Sequence, residues 1–261
     1  MDELNRYELM LEAMAELKPE IDSVRRTEPK PSLPSLGQVL AEFGPMPIEA
    51  MFLGVASDGL PVLLNLHDPV PGPILIAGDA GIGKTAMLQT VALAATMMHQ
   101  PEQLQFGVVT SHPDEWSGFE AVQNNVGIFP LQHRSSEDFI LSLASWAHGN
   151  KSSRQSVLLL LDDLEAVSKL DIDSQQNLRW LLLRGPARRV WPIMTLNPNR
   201  MENAQAWLDA FHTRVFGPIQ NVQLTRQLDA ENADLDSLNI GTQFALREAD
   251  HWLHFWLPSI E

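Results

Sequence analysis

Residues 73–88, PILIAGDAGIGKTAML, constrain the fold more than any other stretch of the chain. An apolar run there breaks into Gly78-Asp79-Ala80-Gly81-Ile82-Gly83-Lys84-Thr85. This is G-x-x-x-x-G-K-[ST], the Walker A pattern, set between an apolar strand and a helix, the context that gives the pattern its meaning. The glycines let successive backbone N–H groups close around an anion, and the helix beginning near Lys84 adds the positive end of its dipole. The pattern assigns Lys84 to the β- and γ-phosphates of a nucleotide and the Thr85 hydroxyl to Mg²⁺. The expected ligand is therefore a nucleoside triphosphate with Mg²⁺. The loop residues predicted to hold it are Gly78, Asp79, Ala80, Gly81, Ile82, Gly83, Lys84, Thr85 and Ala86.

A second motif supports the first. Val157-Leu158-Leu159-Leu160-Leu161-Asp162-Asp163 is an apolar strand that delivers two carboxylates to its C-terminal end. Ligands sit at that edge in open α/β sheets. Asp162 is expected to hold Mg²⁺ opposite Thr85, and Asp163 to orient an attacking water. Thr195-Leu196-Asn197, ending the next strand, either senses the γ-phosphate or simply leads into the Asn-Pro-Asn turn. Phosphoryl transfer also needs positive charge where negative charge accumulates. Lys84 supplies one such charge; Arg214, Arg188 and Arg189 are the candidates for another, donated from an adjacent subunit.

Around these motifs the pattern alternates. Residues 50–66 read as two strands joined at Ser57-Asp58-Gly59. Then follow strand 74–77, a helix from Lys84 to His99, strand 104–110, a helix near 136–147, strand 157–161 and a helix near 174–183. Strand 190–196, a short helix at 202–211 and an antiparallel hairpin of 241–247 with 252–257 close the chain. Apolar, unalternating strands separated by helices indicate a mainly parallel sheet covered on both faces. The expected class is α/β, a RecA-like P-loop NTPase with a leading and a closing antiparallel hairpin. Residues 1–28 read as an amphipathic helix, with Leu4, Tyr7, Leu11 and Met14 on one stripe, that either packs on its own domain or docks a neighbouring chain. Residues 29–49 read as a proline-rich linker and a short helix, and 50–261 as the ATPase domain.

Composition narrows the partners. The net charge is −15, so a broad nucleic-acid-binding face is not expected; positive charge gathers at Arg179, Arg184, Arg188, Arg189 and Arg200. Such a patch is either a solvated surface or faces a phosphate or a subunit. There is no cysteine, which excludes disulfides and thiolate metal sites. No apolar run is long enough to span a bilayer. The expected location is cytoplasmic, free or peripheral to a membrane complex.

On these residues the chain resembles the FtsK/SpoIIIE family of the FtsK–HerA P-loop ATPases, and most of all the EccC-type ATPase modules of type VII secretion. The likeness covers about residues 34–258. It rests on LPSLGQVLAEFG, FLGVASDGLPVLLNL, PILIAGDAGIGKTAMLQTVALAATMMHQPEQLQFGVV, VLLLLDDLEAV, WPIMTLNPNR with FHTRVFG, and LNIGTQFALREADHWLHFWLP. The resemblance implies ATP hydrolysis coupled to moving DNA or a polypeptide, in a homo-oligomeric ring or a larger secretion or translocation complex. Two positions depart from the family pattern. The acidic pair is Asp162-Asp163 where the family has Asp-Glu, and Leu196 stands where the sensor strand carries glutamine. These departures imply weak hydrolysis. They also keep open a second reading, a degenerate ATP-binding interaction module that captures a partner peptide with little or no hydrolysis.

Overall fold

The computed structural model describes residues 33–150, 153–248 and 251–260, and the amphipathic stripe expected within 1–28 lies outside them. Ser35–Glu261 forms one unit. Its elements are α1 (Leu36–Phe43), β1 (Ala50–Ala56), β2 (Pro61–Asn65), β3 (Ile74–Ala77), α2 (Lys84–Met98), β4 (Leu104–Thr110) and β5 (Asn125–Pro130). After these come α3 (Arg134–Gly149), β6 (Ser156–Asp162), α4 (Ile172–Arg184), β7 (Val190–Leu196), β8 (Thr213–Phe216), α5 (Val222–Gln227), β9 (Gln243–Glu248) and β10 (His251–Trp256).

All ten strands join one sheet, in the order β2-β1-β10-β9-β8-β3-β7-β6-β4-β5. From β8 to β5 every pairing is parallel. From β2 to β8 every pairing is antiparallel. The α/β, mainly parallel class expected from the sequence is the class observed. The two hairpins form one continuous extension, because β10 pairs with β1 and β9 with β8.

The alternation of side chains along the strands divides the core. Leu159 and Leu161 of β6 face one apolar layer, with Ile140 and Leu143 of α3 and Leu178 and Leu181 of α4. Leu158 and Leu160 face the other, with Met87, Leu88 and Val91 of α2 and Leu36 and Val39 of α1. Period-two side chains on a strand buried from both sides give a run with no polar face. This is why β6 could be read directly as VLLLL.

The short helix expected at 36–43 is α1: Ser35 caps it in a reciprocal box with Gln38, its Leu36 N–H donates to Ser259 O, and Leu36 and Val39 are buried. Two local outcomes differ from the sequence reading. The single short helix expected at 202–211 is instead two 3-10 segments, Pro198–Asn203 and Gln205–Ala210, broken at Ala204 (φ −114°, ψ −3°). Strand β5 was not expected; none of its residues is fully buried, as suits the sheet edge, where apolar patterning is weakest.

Candidate functional site

The site forms where β3, β6, β7 and β8 end on the same side of the sheet. The loop between β3 and α2 turns on Gly81 (φ +77°) and Gly83 (φ +92°), left-handed conformations that favour glycine. Gly83 is also pressed by a distant segment: a Cβ there would lie 2.9 Å from Gly241 Cα, and the Gly241 N–H donates to Ile82 O at 3.2 Å. Underneath, Ile82 is only 4% exposed and plugs the loop against Gly78 and Gly217. A Cβ on Gly217 would come within 2.3 Å of Ile82 Cδ1. Burying a side chain of this size contributes about 2 kcal/mol, so Ile82 anchors the loop from below. No side chain caps the start of α2, which leaves its first N–H groups to other acceptors.

Asp79 ties the loop to two neighbouring turns. Its Oδ1 accepts from Asn199 Nδ2 at 3.0 Å, beyond β7, and its Oδ2 from the Gln220 N–H at 2.9 Å, beyond β8. The Lys84 ammonium folds over the same loop and donates to Gly78 O and Asp79 O, both at 2.8 Å. Burial lowers the Lys84 pKa; Glu165, Asp162, Asp163 and Asp79 oppose that shift.

β7 lies between β3 and β6, and it bridges the phosphate loop to the acidic residues. Thr195, fully buried, donates from its hydroxyl to Asp162 Oδ1 at 2.6 Å and accepts from the Asp163 N–H at 2.8 Å. The other carboxylate oxygen of Asp162 accepts from the Thr85 hydroxyl at 2.8 Å. Burial raises the Asp162 pKa, Asp163 and Glu115 push the same way, and the two hydroxyl bonds hold it down. Asp163 itself sits at φ +84°, an uncommon conformation for a residue with a side chain, and is half-buried.

Sequence reasoning missed Glu165. It follows Asp163 by two positions, is 6% exposed, and accepts from the Asn197 N–H at 3.3 Å. Burial raises its pKa, partly offset by Lys84. A charged residue inside the otherwise apolar run Leu164–Val167 was the available signal. Asn199 and Gln220 were also missed, since only the fold brings them to Asp79. The three-residue sensor stretch separates: Thr195 aligns the acidic residues, Leu196 is buried in the core, and the Asn197 side chain caps its own turn by accepting from the Asn199 N–H. Arg214 does not join the cluster. Its guanidinium donates to Phe211 O, Leu208 O and Leu228 O and lies 3.9 Å from Asp229.

Thr85 and Asp162 offer two hard oxygens side by side, the partial donor set that Mg²⁺ takes when phosphates and water complete its shell. Among the described residues no group of three or more His, Asp or Glu side chains could hold a metal by itself. The uncapped helix start, the left-handed glycines and Lys84 suit a phosphate chain in the same place. The residues present thus fit a magnesium-bound nucleotide.

Among curated proteins none matches the chain in sequence. Several solved structures match its fold. The cytoplasmic domain of the type VII secretion ATPase EccC from Thermomonospora curvata superposes with TM-score 0.64 at 16% identity, over 82% of this chain and 29% of that one. ATPases 2 and 3 of the same protein, in complex with a signal sequence peptide, give 0.65 at 13%, over 88% and 43%. The pCW3 conjugation coupling protein TcpA, with ATPγS, gives 0.66 at 11%, over 88% and 70%. The chain thus spans less than half the length of either secretion ATPase chain, and at these identities the likeness establishes the fold. These neighbours are ATPase domains of the FtsK–HerA type, and no described helix is long and apolar enough to cross a membrane. A sequence family assignment comes separately: the NACHT domain model matches residues 72–229, which include the phosphate loop, Asp162, Asp163, Glu165 and Thr195. With more than half of its length matched, the chain belongs to the NACHT domain family, within the P-loop NTPase class.

Proposed function

We propose that this chain is an ATP-binding motor-type domain that binds Mg·ATP at residues 78–86 and hydrolyses it slowly, in an assembly that moves DNA or a polypeptide. The observation that carries the reading is Asp162, one carboxylate oxygen on the Thr85 hydroxyl and the other on Thr195. That arrangement aims a buried carboxylate at the hydroxyl of the phosphate loop. Bound Mg·ATP would bring the reactive phosphoanhydride and neutralise part of its charge. The chain's own residues do the rest. The backbone N–H groups of 80–86 would cradle phosphate oxygens, and Lys84 would exchange its two carbonyl partners for the β- and γ-phosphates. Thr85 and Asp162 would hold the metal. Asp163 orients the attacking water, and Glu165, beside Lys84, is a second carboxylate placed to do so.

A degenerate module that uses nucleotide as a structural ligand is the alternative, favoured by two particulars. Leu196 is buried where a γ-phosphate sensor would need a polar side chain, and Asp163 is held in a left-handed conformation. ATP turnover of the concentrated protein, with and without DNA, separates the two. DNA-stimulated turnover that Lys84→Ala abolishes supports the motor. Tight ATP binding with turnover no faster than in Lys84→Ala supports the module. ATP affinity unchanged by Lys84→Ala would remove both.

A further inference from the structure

The opposite edge of the sheet, where β6 and β7 begin, carries a cleft of about 470 Å³ lined by His67, Asn150, Ser153, Arg154, Arg188 and Arg189, with Pro69, Pro186 and Ala187 as its apolar walls. It lies the length of β6, roughly 20 Å, from the phosphate loop. No Asp or Glu lines it among the described residues, in a chain with 33 acidic and 18 basic side chains. The ion pairs found among those residues are Arg134–Asp138, Arg214–Asp229 and Arg226–Glu231, so the three cleft arginines share none of them.

Two of the three guanidinium groups are held in place by the backbone. Arg188 donates from Nη1 to Asn150 O at 3.2 Å, and Asn150 Nδ2 returns a bond to Arg188 O at 3.1 Å. Arg189, in the left-handed region at φ +68°, donates from Nη1 to Leu66 O at 3.2 Å. Each guanidinium carries five N–H donors, so most of them stay available in a fixed fork. Arg154 is exposed at the rim.

We propose that this cleft binds a compact phosphorylated ligand through Arg154, Arg188 and Arg189. Three guanidinium groups around one cavity match the charge of a phosphate chain better than that of a single carboxylate. The volume is that of a small-molecule site. Strands β6 and β7 are interior to the sheet, so their ends offer no free edge to a peptide. The overall negative charge opposes a long polyanion such as nucleic acid. The proposal does not depend on nucleotide binding at the phosphate loop.

The test is calorimetric titration of the Lys84→Ala protein with inorganic pyrophosphate at physiological salt, the substitution removing the phosphate-loop lysine. Binding is expected, weakened about tenfold by Arg154→Ala and more by Arg154→Ala with Arg188→Ala. Among the described residues Arg154 has no hydrogen-bond partner, so its variant should melt with the parent and keep the test valid. A nucleoside monophosphate arm tells a nucleotide-borne phosphate from a free one. Affinity unchanged by Arg154→Ala, no pyrophosphate binding at all, or equal binding of citrate and an oligoglutamate peptide would each overturn the proposal.

Discussion

The Thr195 hydroxyl donates to Asp162 at 2.6 Å and receives the Asp163 N–H at 2.8 Å, so a single buried oxygen on β7 holds the carboxylate that ends β6 and the backbone of the residue after it. Replacing it with valine keeps the shape but orphans a carboxylate oxygen and a backbone donor. Thr195→Val should cost about 1–3 kcal/mol of stability. It should also weaken the Mg²⁺-dependent part of ATP affinity, read as the difference between titrations in Mg²⁺ and in EDTA. An equal loss in both would mean that Thr195 supports the loop and not the metal.

Burial raises the Asp162 pKa, and the direction of the consequence follows from that. A carboxyl whose pKa is raised by folding stabilises the fold most below its ordinary pKa, and that contribution is lost as pH rises through the raised value. Ionised Asp162 therefore burdens the nucleotide-free protein at neutral pH. Asp162→Asn should be more stable than the parent at pH 7.5, with the gap closing on acidification. Denaturant melts of both proteins across pH 5–8, described as a stability difference at each pH, check this. Metal-dependent ATP binding should be lost in the same variant, and in the parent should weaken as pH falls.

Asp163 is one methylene shorter than glutamate, and Glu165 stands two residues on, buried beside Lys84. Asp163→Glu is expected to raise turnover by extending the carboxylate toward the attacking water. Glu165→Gln is expected to lower kcat by about 10²-fold with KM little changed if Glu165 does this work instead. Single-turnover rates with both variants decide which carboxylate orients the water.

Ile82 and Gly217 form a lock beneath the phosphate loop. Gly217→Ala sets a methyl 2.3 Å from Ile82 Cδ1, and should cost about 1–3 kcal/mol and weaken ATP binding as the loop lifts. Ile82→Ala should carry its own cost from the lost burial, but the double variant should lose less than the sum of the two single losses. Additive losses in the double variant, by thermal melting and nucleotide titration, would show that the two residues do not couple.

What could be read from the sequence was what local pattern encodes. The strand–glycine–helix unit, the VLLLLDD strand and the closing hairpin each carry their own signal within a dozen residues. So the α/β class and the positions of Lys84, Thr85 and Asp162 could be located before any coordinates. The partners of these residues could not be located in that way. Asn199 and Gln220 reach the loop only because β7 and β8 flank β3, and Glu165 meets Asn197 only because β7 lies beside β6, pairings set by the order of strands in the sheet. Thr195 was noticed for its position at a strand end. Its bond to Asp162 required knowing that β7 separates β3 from β6. Arg214 looked available from its motif because nothing local shows that three carbonyls hold its guanidinium.

Gly241 rests against Gly83, so the loop that opens the first βα unit is not completed until a segment far later in the sequence is in place. A polypeptide emerging from synthesis carries the phosphate loop well before its covering turn, which follows together with the β9–β10 pair that joins β8 to β1. A fragment cut at residue 229 would keep Lys84, Asp162, Asp163 and Glu165, yet leave β8 with a bare edge and the loop without its cover. Nucleotide affinity then serves as a reporter of finished folding, and trimming the chain to its best-matched segment should yield a protein prone to pair through that edge.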